Sequence, residues 1–306
     1  MISARKRSAA EVRLWRTGSR EIVLDRPIIA GILNVTPDSF SDGGNFFSYD
    51  LALEHAERMM NEGADIIDIG GESTRPGAHV VPEGEEIRRV VPVIRAIRNR
   101  HPSVCVSIDT TKTGVARAAI EAGAEIVNDV SALRLDAGMA GVIRETGCGV
   151  ILMHSRGGVE DMASYAHTVY DGDATDTIIA ELAQRADAAE KMGIDRERIT
   201  LDPGFGFSKL SSQSMSLLVR LDEVTRLGFP VMVGVSRKRF VTEAMNGEAG
   251  SPTLGAASLP IEDRDAGTVA LNVVALMNGA NVFRVHNVGM NRRALDAAWT
   301  LRSAAG

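Results

Sequence analysis

The sequence predicts an α/β protein built as a single (β/α)8 barrel with its active site at the C-terminal ends of the strands. Three observations carry that prediction. Short β-branched runs alternate eight times with stretches of helical period, and no linker-like segment divides the 306 residues. Polar, chemically active residues also gather where the strand runs end, as the barrel demands. A doubly wound open sheet is the main alternative, but no G-x-G-x-x-G follows the first strand.

In chain order, residues 1–24 read as a partly ordered basic extension and 25–306 as the barrel domain. Strands are expected over 28–33, 65–69, 104–108, 125–128, 150–153, 199–201, 231–235 and 282–285. After the first, Ala52, Ala56, Met59 and Met60 share one helical face. After the second, Ile87, Val90, Val91, Ile94 and Ile97 do the same, with Arg88, Arg95 and Arg98 turned outward. Further helices are expected over 114–122, 137–145, 176–192, 216–227, 267–278 and 291–302. Glycine follows several of them at once, at Gly63, Gly123, Gly147, Gly193, Gly228 and Gly279, the residue that helix C-termini favour. Residues 247–265 read as long and irregular.

Hydrophobic residues make up 44% of the chain and charged residues 24%, ample for a buried core. A formal net charge of −6 argues against a nucleic-acid surface. No apolar run is long enough for a signal peptide or membrane span, and Cys105 and Cys148 sit in apolar surroundings as small buried thiols, so a cytoplasmic setting is expected.

The strand ends divide by charge. Arg75, Arg284 and His286, with Lys238 nearby, suit phosphate or pyrophosphate, which arginine grips with a two-pronged fork. Barrels often place phosphates at the loops after strands 7 and 8, where Ser236-Arg237-Lys238 and Arg284-Val285-His286 fall. Asn34 offers a neutral oxygen suited to Mg²⁺, which shares its coordination with substrate phosphates. Asp109, Asn128 and Asp202 are fixed acceptors suited to a neutral heterocycle with amino and ring N–H donors. Asp129 reads instead as a turn cap, His154 as a packing residue, and Arg156 and Arg237 as partners of nearby carboxylates.

Taken together, Asn34-Val35-Thr36-Pro37-Asp38-Ser39-Phe40-Ser41-Asp42-Gly43-Gly44, Gly71-Glu72-Ser73-Thr74-Arg75-Pro76-Gly77 and Asp202-Pro203-Gly204-Phe205-Gly206-Phe207 resemble the signatures of the dihydropteroate synthases, a pterin-binding barrel family. The resemblance runs from about Ile28 to the last helix and includes Ser236-Arg237-Lys238 and Arg284-Val285-His286. It implies condensation of 6-hydroxymethyl-7,8-dihydropterin diphosphate with p-aminobenzoate, giving 7,8-dihydropteroate and pyrophosphate in a Mg²⁺-assisted reaction. By carry-over, Asp109, Asn128, Met153, Asp202, Gly206 and Lys238 hold the pterin, while Asn34, Arg75, Arg284 and His286 hold pyrophosphate and metal. Phe40, Thr74, Pro76, Phe207 and Ser236 shape the aminobenzoate pocket, and Asp38 or Asp42 faces a developing cation. A homodimer is also implied. Three positions depart from the commonest pattern: Arg239 where Ser is frequent, Ser155 where Met is common and Asn287 where Asp is frequent. A pterin-binding methyltransferase and a catalytically silent pterin-binding paralogue are the competing readings.

Overall fold

The computed structural model describes residues 14–35, 44–73, 80–247 and 259–304. The chain opens on an antiparallel hairpin, β1 (Leu14–Thr17) and β2 (Arg20–Val23). Eight parallel strands follow: β3 (Ile28–Asn34), β4 (Ile66–Gly70), β5 (Cys105–Asp109), β6 (Ile126–Asp129), β7 (Gly149–Met153), β8 (Ile199–Asp202), β9 (Met232–Val233) and β10 (Val282–Val285). Their order is β8-β7-β6-β5-β4-β3-β10-β9, and a parallel bridge between Leu201 and Val231 brings β9 back to β8. The predicted barrel is therefore what forms, with its thinnest seam between β8 and β9.

Side chains alternate across each strand, and this period of two sorts the core into two parts. Outward residues such as Ile67, Ile69, Val106, Ile108, Val127, Val150 and Leu152 pack under the helices, against Val90, Ile94, Val115 and Ala119 among others. Inward residues at the strand starts, Ile28, Ala30, Ile66, Cys105, Ile126, Ile151, Met232 and Val282, form a separate plug. Trp15 of β1 is fully buried in that plug, and its indole N–H donates to the Arg198 carbonyl at 3.0 Å. Part of the segment read as an extension thus closes the bottom of the barrel. A buried Trp of this kind is worth about 3–5 kcal/mol when truncated to Ala.

Ten α-helices lie among the described residues: α1 (Gly44–Asn61), α2 (Glu83–Arg100), α3 (Thr113–Glu121), α4 (Met139–Thr146), α5 (Ala174–Lys191), α6 (Ser211–Val219), α7 (Leu221–Thr225), α8 (Arg239–Met245), α9 (Ile261–Met277) and α10 (Val288–Ala304). Three differ from the sequence expectation: α9 begins at Ile261, inside the stretch 247–265 read as irregular. The helix expected over 216–227 is broken at Arg220, whose guanidinium donates to Asp173 at 2.9 Å and Glu223 at 2.8 Å and ties the break to the start of α5. Helix α8 was not expected, because seven residues carry too little periodicity to register. None of the described helices is long and apolar enough to cross a membrane.

Candidate active site

Register places the polar strand ends in two adjacent layers. Asn34 lies opposite Gly70, Gly70 opposite Asp109, and Asp109 opposite Asn128; Asn128 lies opposite Ile151, so Met153 and its partner Asp202 stand one layer higher. One layer deeper, Asp68 and Ser107 pair in the same register, below Gly70 and Asp109 on the inner face. The barrel is thus filled by an apolar plug below and a polar chamber above it.

Arg284 stands at the centre of that chamber. Its Nε donates to Asp68 Oδ2 at 2.6 Å and its Nη2 to Asp109 Oδ2 at 2.6 Å, while Asn128 Nδ2 donates to the same Asp68 oxygen at 3.2 Å. The sequence reading assigned Arg284 to pyrophosphate and Asp109 to the pterin; the structure brings the two groups into contact. Asp68 is a central residue that the sequence reading missed, although a carboxylate inside the otherwise apolar run Ile66-Ile67-Asp68-Ile69 was the available signal. Two carboxylates sharing one guanidinium cannot both be fully compensated. Burial, reinforced by Asp68, pushes the Asp109 carboxyl up to about 7 against the pull of Arg284.

Across the chamber, Lys238 and Asp202 form the other charged pole. Burial draws the Lys238 amine down to about 7, opposed by Asp202, and burial raises the Asp202 carboxyl. Lys238 Nζ donates to the Phe205 carbonyl and lies 4.0 Å from the centre of the Phe207 ring. Phe207 also packs with Met153, Val130 and Met162, so this expected aminobenzoate wall joins residues expected around the pterin. Asp202 Oδ1 accepts from Gly204 N at 2.7 Å. Gly204 has φ 68°, and a Cβ there would collide with the His154 carbonyl oxygen, which is why glycine occupies this turn.

Four buried polar atoms of the chamber, Asp68 Oδ1, Ser107 Oγ, Asn128 Oδ1 and Thr200 Oγ1, make no hydrogen bond among the described residues. Buried polar atoms are ordinarily paired, so a cluster of orphans marks where a ligand's donors fit. Around the rim, Ser236 Oγ and His286 Nδ1 are 2.9 Å apart, and His286 N donates to Ser236 Oγ at 3.2 Å. Asn34 is half-buried at the end of β3, with its Oδ1 and the Asp109 carboxylate both within 4 Å of the Cβ position that Gly70 leaves empty. Asp38, Phe40, Asp42, Thr74, Arg75 and Pro76 lie outside the described residues.

Residues assigned structural roles behave accordingly. Asp129 accepts from Ser131 N at 2.7 Å and Leu133 N at 2.9 Å; Arg156 pairs with Glu181, and Arg237 with Asp265. His154 is buried with Nε2 2.9 Å from Glu181 and Nδ1 2.8 Å from the amine of Lys209. Lys209, also missed from sequence, donates to the carbonyls of Gly204 and Phe207, each at 3.0 Å, and so braces the loop that carries Gly206. Gly206 in turn lets the Lys238 stem lie close, 3.2 Å from where a Cβ would stand.

The family model for pterin binding enzymes matches residues 30–286, from within β3 to just past the end of β10, a range that holds every site residue from Asn34 to His286. A dihydropteroate synthase of Streptococcus pyogenes is 45% identical over 264 residues, covering 86% of this chain and 91% of that one. The chain belongs to the dihydropteroate synthases. Among solved dihydropteroate synthases, that of Xanthomonas albilineans with 4-aminobenzoic acid superposes with a TM-score of 0.84 at 38% identity, covering 96% of this chain and 99% of that one. That of Burkholderia cenocepacia complexed with 7,8-dihydropteroate gives 0.82 at 36% identity, covering 96% and 98%.

The three departures from the dihydropteroate synthase pattern have local partners. The Arg239 guanidinium lies 3.9 Å over the Tyr165 ring. Ser155 Oγ donates to the Val130 carbonyl at 2.7 Å, and Asn287 Nδ2 donates to Asp265 at 3.0 Å, which an aspartate could not do.

Proposed function

We propose that this chain condenses 6-hydroxymethyl-7,8-dihydropterin diphosphate with p-aminobenzoate to give 7,8-dihydropteroate and pyrophosphate. The orphaned acceptors Asn128 Oδ1 and Asp68 Oδ1, beside the buried Asp202 and half-buried Asp109 carboxylates, carry this reading, since they match a ring rich in N–H donors. Asp109, Asn128 and Asp202 grip those donors, Lys238 donates to the ring's acceptors, and Met153 packs on its face. Arg284 and His286 face the leaving group. Arg284 spends two of its N–H donors on Asp68 and Asp109, which fixes its plane before substrate arrives.

The residues present are compatible with Mg²⁺ held mainly by substrate. Asn34 would supply one neutral oxygen at the end of β3, and no cluster of three His, Cys, Asp or Glu competes for the ion among the described residues. Held at Asn34, the ion would supply charge neutralisation of the leaving group. We further propose that pyrophosphate departs before the amine attacks. Ring-nitrogen donation supports the resulting methylene cation, the buried carboxylates oppose its charge, and an aniline nitrogen needs no strong base. A homodimer in a cytoplasmic setting completes the proposal, and sedimentation velocity checks the dimer.

The test is incubation of the purified protein with both substrates and Mg²⁺. Equimolar dihydropteroate and pyrophosphate, abolished by EDTA and restored by Mg²⁺, are expected. Pterin binding without turnover would instead support the silent paralogue. Methyl transfer from methyltetrahydrofolate to a corrinoid would support the methyltransferase.

A further inference from the structure

The turn that presents Lys238 is built on an unfavourable residue. Lys238 N donates to the Val235 carbonyl at 3.2 Å, closing a four-residue turn whose third residue, Arg237, has φ 59°. A turn with positive φ at that position calls for glycine, and a non-glycine residue there costs about 1–3 kcal/mol unless its surroundings hold it. The surroundings are found on α9. Asp265, 4% exposed, accepts Arg237 Nε at 2.7 Å and Nη2 at 2.9 Å, and Thr268 Oγ1 accepts Arg237 N at 3.0 Å. The same Asp265 carboxylate accepts Asn287 Nδ2 at 3.0 Å, one residue past His286, and Asn287 Oδ1 accepts Met290 N at 3.1 Å to start α10.

One buried carboxylate therefore ties together, from behind, the two loops that Ser236 and His286 tie at the front. We propose that Asp265 is a positioning residue for the reaction, setting the register between the Lys238 loop that meets the pterin and the His286 loop that meets pyrophosphate. It rests on the function proposed above and acts through Arg237 and Asn287, without itself touching substrate. A bidentate pair gives the orientational restraint that a single hydrogen bond lacks.

The test compares Asp265→Asn, Asp265→Ala and the double variant Asp265→Ala/Arg237→Gly. In Asp265→Asn, KM for the pterin diphosphate rises and kcat/KM falls about 10–100-fold, the scale of an ångström-level misplacement, with cooperative unfolding retained. The double variant recovers several-fold over Asp265→Ala, because glycine adopts the positive φ unaided. A merely structural role would leave KM unchanged and lower kcat in proportion to the folded fraction, and that result overturns the proposal. So does a double variant no better than Asp265→Ala. Calorimetric titration with inorganic pyrophosphate is read independently of turnover: about tenfold weaker binding by Asp265→Asn is expected, and equal binding overturns the positioning role. Failure of the wild-type protein to make dihydropteroate would sink the functional reading alone.

Discussion

Replacing Asp68 with asparagine removes one charge from the centre of the chamber while preserving shape. The Asp68 side chain is 2% exposed, and its Oδ2 accepts from Arg284 at 2.6 Å and Asn128 at 3.2 Å, whereas Oδ1 has no partner among the described residues. An asparagine can keep its oxygen at the Oδ2 place and put its amide nitrogen at the orphaned one. Both hydrogen bonds survive, but the one to Arg284 loses its negative acceptor. Charge-assisted bonds contribute about 1.5–3 kcal/mol against about 1 for neutral ones, so the direct loss is about 1–2 kcal/mol. Full Coulomb attraction at about 4 Å and an effective dielectric of about 20 would be about 4 kcal/mol, but relief of carboxylate desolvation and the remaining Asp109 offset much of it. Asp68→Ala, which leaves Arg284 with one carboxylate and empties the space, should cost about 3–5 kcal/mol. Urea unfolding followed by tryptophan fluorescence measures both, and kcat/KM should fall at least about tenfold in Asp68→Asn because Arg284 keeps only one charged acceptor, Asp109, and is oriented less firmly. Unfolding free energies within about 0.5 kcal/mol of wild type for both variants would refute the reasoning, as would an unchanged kcat/KM.

Other consequences can be checked alongside. Gly204→Ala forces a side chain into φ 68° and against the His154 carbonyl, so it should destabilise by at least about 2 kcal/mol and abolish activity; normal activity would contradict the turn's role. Burial and the Lys209 amine, outweighing Glu181, hold the His154 imidazole down to about 4. Because its unfolded value is near 6.5, the unfolded chain binds the extra proton first, and stability is lost as pH falls from about 6.5 to 4, by about 3 kcal/mol in all. His154→Gln should flatten that acid slope in denaturation midpoints, and an unaltered slope would remove His154 from the linkage. Dihydropterin diphosphate labelled at the bridging oxygen should scramble into non-bridging positions without aminobenzoate, whereas C–O cleavage strictly dependent on the amine would exclude early departure of pyrophosphate.

The barrel was legible because alternation of strand and helix patterns is a local property, repeated eight times. The mouth was legible because Asp109, Met153 and Asp202 close their strands and Asn128 stands one residue before the end of its own, and register carries them to neighbouring levels. What escaped was set by distant contacts. Trp15 is separated from its partner Arg198 by 183 residues, so nothing near it in sequence marks a hairpin sealing the barrel floor. Asp68 sits mid-strand, where the eye expects core, and its meaning comes from Arg284, 216 residues away. Lys209 follows a glycine-rich signature and reads as a surface cation until the fold buries it beneath Gly204 and Phe207. The break at Arg220 depends on carboxylates from α5, which helical period alone does not register.

The central claim is a division of labour, with the carboxylates of β5 and β8 holding the pterin and the β10 loop holding the leaving group. Calorimetric titration of Asp202→Asn and His286→Gln, each with 6-hydroxymethylpterin and with Mg²⁺-pyrophosphate, tests it most directly. Asp202→Asn should lose pterin affinity about tenfold or more while keeping pyrophosphate binding, and His286→Gln should do the reverse. Equal losses of both ligands in both variants would contradict it.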